Sequence, residues 1–328
     1  MSPALLRSVD EFPELLDESE DDLDPYPESG DGSLVAFREG RVTTADLLPL
    51  TDLGRDALMT FRREWPTLPE ATREEIIRQL EDISENRLEV DFGRVLRVAL
   101  SDESPAVRQR AISALWEDEE DDLLEMLLVL AADDPSIDVR AEAFGALVRF
   151  AVLHADDDLR NLMQPLIVAA TAPEQPYAIR RSAIEASGAF ADDPEVRLAI
   201  LDAYDDGDDG LRASAIRAMG LSGRVEWLAD AMADLASPEP LLRFESARAM
   251  GPLGSETNVG DLYEAMEGEE DVEVRHAIIG ALGAIGGRAG LEALRRLHQM
   301  AEEADLEAID DAIAEALMIG DLFDPGVN

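Results

Sequence analysis

The chain has 328 residues but no cysteine, no lysine and only three histidines. Each absence removes a class of chemistry. Without cysteine there are no disulfides, thiolate metal sites or cysteine nucleophiles, and the simplest expectation for location is the cytoplasm. Without lysine there is no phosphate-cradling loop of the G-x-x-x-x-G-K type. His154, His276 and His298 form neither an H-E-x-x-H arrangement nor an i, i+4 pair, which argues against zinc catalysis. No run of 18 apolar residues is present, so no membrane span is expected, and residues 1–20 lack the basic start and apolar run of a secretory leader.

Positive charge is also scarce. All 28 basic residues are arginine, set against 73 acidic ones, for a net charge of −45. Nucleic acids and anionic membranes are held by concentrated positive charge and are poor partners for such a chain. The imbalance suits a saline cytoplasm, where salt screens self-repulsion. GC-rich coding would equally replace lysine by arginine, and composition does not separate the two. Residues 10–31 hold eleven carboxylates and no base. Self-repulsion with few apolar anchors predicts that residues 1–33 are a disordered acidic tail.

A repeated phrase dominates what is present. Six arginines, Arg108, Arg140, Arg180, Arg212, Arg243 and Arg275, follow an aliphatic residue at intervals of 32, 40, 32, 31 and 32. Before them stand Val107, Val139, Ile179, Leu211, Leu242 and Val274, and small or apolar residues recur three, six and seven positions after them. Positions i, i+4 and i+8 share one stripe of a helix, so each phrase marks one amphipathic helix. The sixth position is always alanine (Ala114, Ala146, Ala186, Ala218, Ala249, Ala281), which allows a neighbouring helix to approach closely.

Another amphipathic segment precedes each phrase helix, with residues 91–101 before the first, and such segments are seen over residues 119–132, 157–171, 195–205, 225–236 and 288–303. Ser104-Pro105, Asp134-Pro135, Asp193-Pro194 and Ser237-Pro238 place a capping oxygen beside a proline suited to a first turn. Gly188, Gly220, Gly251 and Gly283 stand eight residues after the arginine, where helix exit is expected. The unit is a helical hairpin. A period near 32 makes the chain an array in which each hairpin buries its apolar face against its neighbours.

The phrase D-x-x-x-x-V-R-x-x-A-x-x-A-L, seen over residues 102–115 and 134–147, resembles the HEAT family, especially the repeats of phycobilisome lyases, over about residues 65–320. The resemblance implies an all-α fold, an α-α superhelix built as a right-handed solenoid of about eight antiparallel hairpins. Residues 51–320 form it, divergent end pairs included, with residues 34–50 unassigned and 321–328 a C-terminal tail. It also implies that the six arginines form a structural ladder with preceding acids, for which Asp102, Asp134, Asp209, Glu239 and Asp271 are the candidates. HEAT-like hydroxylases carry His-Glu dyads, but Ala155, Ala277 and Gln299 follow the histidines here. HEAT-like DNA glycosylases use a basic surface, which this chain lacks.

The expected function is a non-enzymatic protein-interaction scaffold with no cofactor and no metal. In this architecture the arginine-bearing helices line the concave side, and positions one and five after the ladder arginine face outward. Arg181, Arg217, Arg248 and His276, with Phe244 between, make a basic run suited to an acidic or extended segment of a protein partner. The alternative is an accessory or chaperone-like subunit of a lyase-type enzyme system. The acidic tail, tethered nearby, is a candidate competitor for the same run.

Overall fold

The computed structural model describes residues 31–38, 40–87, 90–153 and 158–323. Among these there are 17 α-helices, short 3-10 turns and no strand, and no helix is long and apolar enough to cross a membrane. The acidic stretch 1–30 and residues 324–328 lie outside the described residues. The chain divides into two compact units, residues 1–166 with 176–182, and residues 167–175 with 183–328.

In the first unit the α-helices are α1 (Thr44–Leu47), α2 (Arg55–Glu64), α3 (Glu70–Asn86), α4 (Gly93–Ala99), α5 (Pro105–Ala114), α6 (Asp121–Asp133) and α7 (Ile137–Leu153). Helices α3, α5 and α7 pack in a row, with α4 against α5 and α6 against α7. Helix α6 shows why. Its opening carboxylates, Asp121 and Asp122, suit the positive end of the helix dipole. The eight apolar residues from Leu123 to Leu130 and Ala131 that follow, interrupted only by Glu125, are buried. A helix apolar on nearly every face is stable only when enclosed, and each buried leucine stabilises by about 1.5–3 kcal/mol.

Four side chains of the 34–50 segment belong to this unit's core. The turn Val35–Phe37, helix α1 and the turn Leu48–Leu50 bury Leu34, Phe37, Leu47 and Leu50. The Leu34 amide donates to Glu64 Oε2 at 3.1 Å, and Gln79 Nε2 donates to the Val42 carbonyl at 3.3 Å.

Helices α8 (Asp158–Ala170) and α9 (Tyr177–Ser187) contribute residues to both units. The second unit continues with α10 (Pro194–Tyr204), α11 (Asp209–Ser222), α12 (Leu228–Ala233), α13 (Pro240–Leu253), α14 (Val259–Met266), α15 (Val272–Ile285), α16 (Gly287–His298) and α17 (Glu303–Phe323). The row here is α11, α13, α15 and α17, each flanked by its hairpin partner α10, α12, α14 or α16. Each unit is thus all-α and built of stacked hairpins. Helix α17 runs through Phe323, so the expected tail from 321 begins as helix.

Two local expectations are corrected. Gly220, Gly251 and Gly283 lie inside their helices, and Gly188 opens a 3-10 turn. Their role is close approach. A β-carbon would clash with the Ala218 carbonyl oxygen at Gly188, and would fall 2.8 Å from Ala249 Cα at Gly220. At Gly283 it would fall 2.9 Å from Ala312 Cβ. The glycine of one helix meets the small residue of the next, and one exit from the row is at Gly223, whose φ of 63° is left-handed. The prolines also differ in part. Pro105 and Pro194 open α5 and α10, and Asp193 accepts from the Glu195 amide at 2.7 Å. Helix α13, however, opens on Pro240 rather than Pro238, α7 opens at Ile137, and Ser104 makes no side-chain cap.

Candidate functional site

Four phrase arginines, Arg108, Arg212, Arg243 and Arg275, sit near the start of row helices, where their side chains reach a carboxylate of the next hairpin. Arg108 donates Nε to Asp134 Oδ2 and Nη2 to Asp134 Oδ1, both at 2.8 Å, while Nη1 donates to the Asp102 carbonyl at 2.7 Å. Arg243 repeats the pattern with Glu269, at 2.7 and 2.9 Å, and with the Ser237 carbonyl at 2.9 Å. Arg275 does so with Asp305, at 2.9 and 3.2 Å, and with the Glu270 carbonyl at 3.0 Å. One planar fork therefore ties the next hairpin's carboxylate to its own hairpin's loop, a geometry that ammonium groups do not offer.

The carboxylates work in two directions. Asp134 Oδ1 also accepts from the Ser136 amide at 2.8 Å, and Glu269 Oε1 from the Asp271 amide at 3.0 Å. The Glu269 carboxyl is held below the usual carboxylate range, chiefly by the hydrogen bonds from Arg243 and against the cost of burial. The Arg243 and Arg275 guanidiniums are correspondingly raised by their partner carboxylates.

The other rungs vary. Arg212 donates Nε to Asp234 Oδ2 at 2.7 Å and Nη2 to the Tyr204 hydroxyl at 2.8 Å, with its guanidinium 4.1 Å from the centre of the Tyr204 ring. Arg140 donates Nε to the Ala131 carbonyl at 3.3 Å, and Arg180 is half-buried on α9.

Of the proposed acids, Asp102 and Asp134 hold arginines. Asp209, Glu239 and Asp271 do not: Asp209 lies in the first turn of α11, Glu239 precedes α13, and Asp271 caps α15 by accepting from the Glu273 and Val274 amides. Asp234, Glu269 and Asp305 hold the arginines instead. The pairing is also with the preceding hairpin's arginine, and this exposes a rung missing from the six. Arg73 donates to both oxygens of Asp102, at 2.7 and 3.0 Å, and Trp65 Nε1 donates to Asp102 Oδ2 at 2.7 Å. Arg73 stands 35 residues before Arg108 with Ile76 and Leu80 three and seven positions on, but Thr72 precedes it and Gln79 fills the alanine position.

The proposed partner-binding residues divide. Arg181 belongs to the first unit, its guanidinium 6.0 Å from the Tyr177 ring centre. The rest belong to the second. Arg217 lies 3.0 Å from Glu185 Oε2 and is 41% exposed, and Arg248 is exposed. His276 Nε2 sits 3.2 Å from the Ala304 carbonyl and 3.3 Å from Asp305 Oδ1. Phe244 does not stand outward as expected: it packs, partly buried, against the core of α13 to α17. Among the described residues no group of three potential metal-ligating side chains converges.

A model of HEAT repeats matches residues 93–165 and 225–318, together just over half of the chain. Among solved structures, the complex of CpcE and CpcF of phycocyanin lyase from Nostoc sp. PCC7120 is similar at 16% identity and a TM-score of 0.47, covering 68% of this chain and 94% of that one. YibA of Escherichia coli is similar at 18% identity and a TM-score of 0.42, covering 84% and 98%. Human deoxyhypusine hydroxylase in complex with glycerol is similar at 20% identity and a TM-score of 0.33, covering 75% and 97%. No curated protein matches. With stacked hairpins, a guanidinium rung between neighbours and the matched repeats in hand, the chain belongs to the HEAT-repeat family.

Proposed function

We propose that this protein is a non-enzymatic scaffold that binds a segment of a partner protein on the arginine-bearing helices of its second unit. One observation carries the reading: the ladder guanidiniums are occupied by internal contacts, whereas the outward positions on the same helices carry cations open to exchange. Arg248 is exposed, and Arg217 is part-exposed beside the mostly covered Glu185. The Arg248 guanidinium can take a partner carboxylate directly, and Arg217 can share one alongside Glu185. His276 extends the run on α15. The occupant these positions suit is an acidic or extended peptide segment, gripped by bidentate arginine contacts.

The test is a pull-down of tagged chain from native extract at the salt of its source, followed by charge reversal at Arg217 and Arg248 together. The expected result is a stoichiometric protein partner, lost from the double variant while the thermal midpoint is unchanged. Retention of that partner by the double variant removes these residues from the interface. A coloured ligand eluting in place of a protein contradicts the scaffold and favours an accessory subunit of a lyase-type system.

A further inference from the structure

On the loop edge of the second unit, two clefts of about 660 and 700 Å³ share one wall, residues 267–270. Their apolar lining repeats with the hairpins. Met232, Met266 and Met300 follow one another at intervals of 34 residues, and the first cleft adds Leu235. Met300 is 69% exposed, and Met232, Leu235 and Met266 are half-buried. Unbranched thioethers present apolar surface that adapts to different partner side chains.

The rim is one-sided in charge. Asp261, Glu264, Glu267, Glu270 and Glu302 line the clefts with exposed side chains, and none is ion-paired among the described residues. The two cations present, Arg243 and Arg275, are neutralised by Glu269 and Asp305 and largely covered. Gly268, at a φ of 81°, turns the shared wall so that Glu267 and Glu270 flank it.

We infer that the paired clefts form one docking groove for a basic, amphipathic peptide segment of a partner protein, with its apolar side chains on the methionine row and its cationic groups on the carboxylate rim. The charge complementarity selects this occupant. The acidic residues 10–31 of this chain, or a second copy at a net charge of −45, would be repelled. Neither Arg217 nor Arg248 lines the groove, which rests on the scaffold reading only in that the chain binds proteins.

The experiment uses fluorescence anisotropy of the full chain with a labelled twelve-residue peptide alternating arginine and leucine. Comparison peptides carry glutamine for every arginine or serine for every leucine. Both substitutions in the peptide are expected to weaken binding at least tenfold. Glu267→Arg with Glu270→Arg should do the same, and Met300→Asp, at an exposed position that spares folding, should weaken it several-fold. A control of equal charge change, Asp202→Arg with Glu315→Arg, should stay within twofold of the parent. Equal loss in the control reduces the effect to net charge and overturns the groove, as does unchanged binding in the Glu267/Glu270 variant. Failure here leaves the native pull-down unaffected, whereas a pull-down with no protein partner removes the scaffold reading itself.

Discussion

A β-carbon placed on Gly283 would stand 2.9 Å from the Cβ of Ala312 on the next row helix. Gly280, three residues earlier on α15, has no atom within 4 Å of its virtual β-carbon. The two glycines therefore predict opposite outcomes. Gly283→Ala overpacks the helix contact and should destabilise by about 1–3 kcal/mol. Gly280→Ala removes helix-interior glycine entropy at an open position and should stabilise by about 0.5–1 kcal/mol. Urea midpoints of the two variants check both signs.

Arg149 on α7 lies with its guanidinium 4.8 Å from the Phe150 ring centre, and its Nε and Nη2 are buried without hydrogen-bond partners. Burial pushes its guanidinium below the ordinary arginine value. A buried charge with unsatisfied donors is costly, and an apolar side chain of similar length removes that cost. Arg149→Met should leave the thermal midpoint equal or higher. A drop of several degrees would show that the guanidinium stabilises the unit.

The Glu269 carboxyl is depressed by its hydrogen bonds to Arg243. A depressed folded value means that its contribution to stability is full above the ordinary carboxylate range, near 4.5, and fades as the pH falls through the folded value. The stability gap between the parent and Glu269→Gln should thus be widest at pH 7 and shrink toward pH 3. A gap independent of pH would sever the link between this carboxylate's charge and the rung.

With 73 acidic and 28 basic residues, self-repulsion opposes the compact state wherever the charges are exposed. Raising sodium chloride from 0.05 to 1 M shortens the Debye length from over 10 Å to about 3 Å. The thermal midpoint should climb over that range. A flat or falling response would show that local pairing outweighs the net charge.

The hairpins were readable because two signals coincide in them: an apolar stripe at helical spacing and an arginine every 32 residues or so. Ala218 and Ala249 were legible as close-contact positions, but their partners Gly188 and Gly220 were not, since a glycine near a helix end looks the same whether it caps or is crowded. The acids failed for a related reason. Asp102 and Asp134 stand six residues before their arginines, whereas the other acids chosen, Asp209, Glu239 and Asp271, stand three or four before theirs, and Glu269, in the six-residue register, was passed over for Asp271. Asp234 and Asp305 stand outside that register, and pairing runs to the preceding hairpin, a long-range fact that spacing does not carry. Arg73 fell short of the phrase at two positions. The groove on Met232, Met266 and Met300 became visible only once the loops of successive hairpins were placed side by side.

The central claim is that the arginine–carboxylate rungs couple neighbouring hairpins, and the double-mutant cycle at Arg108 and Asp134 tests it most directly. Either single change, Arg108→Met or Asp134→Leu, strands the other charge and should cost about 3–5 kcal/mol in urea unfolding. The double variant should cost less than the sum by at least about 1 kcal/mol, the signature of residues that act on each other. Additivity within about 0.5 kcal/mol would contradict the account.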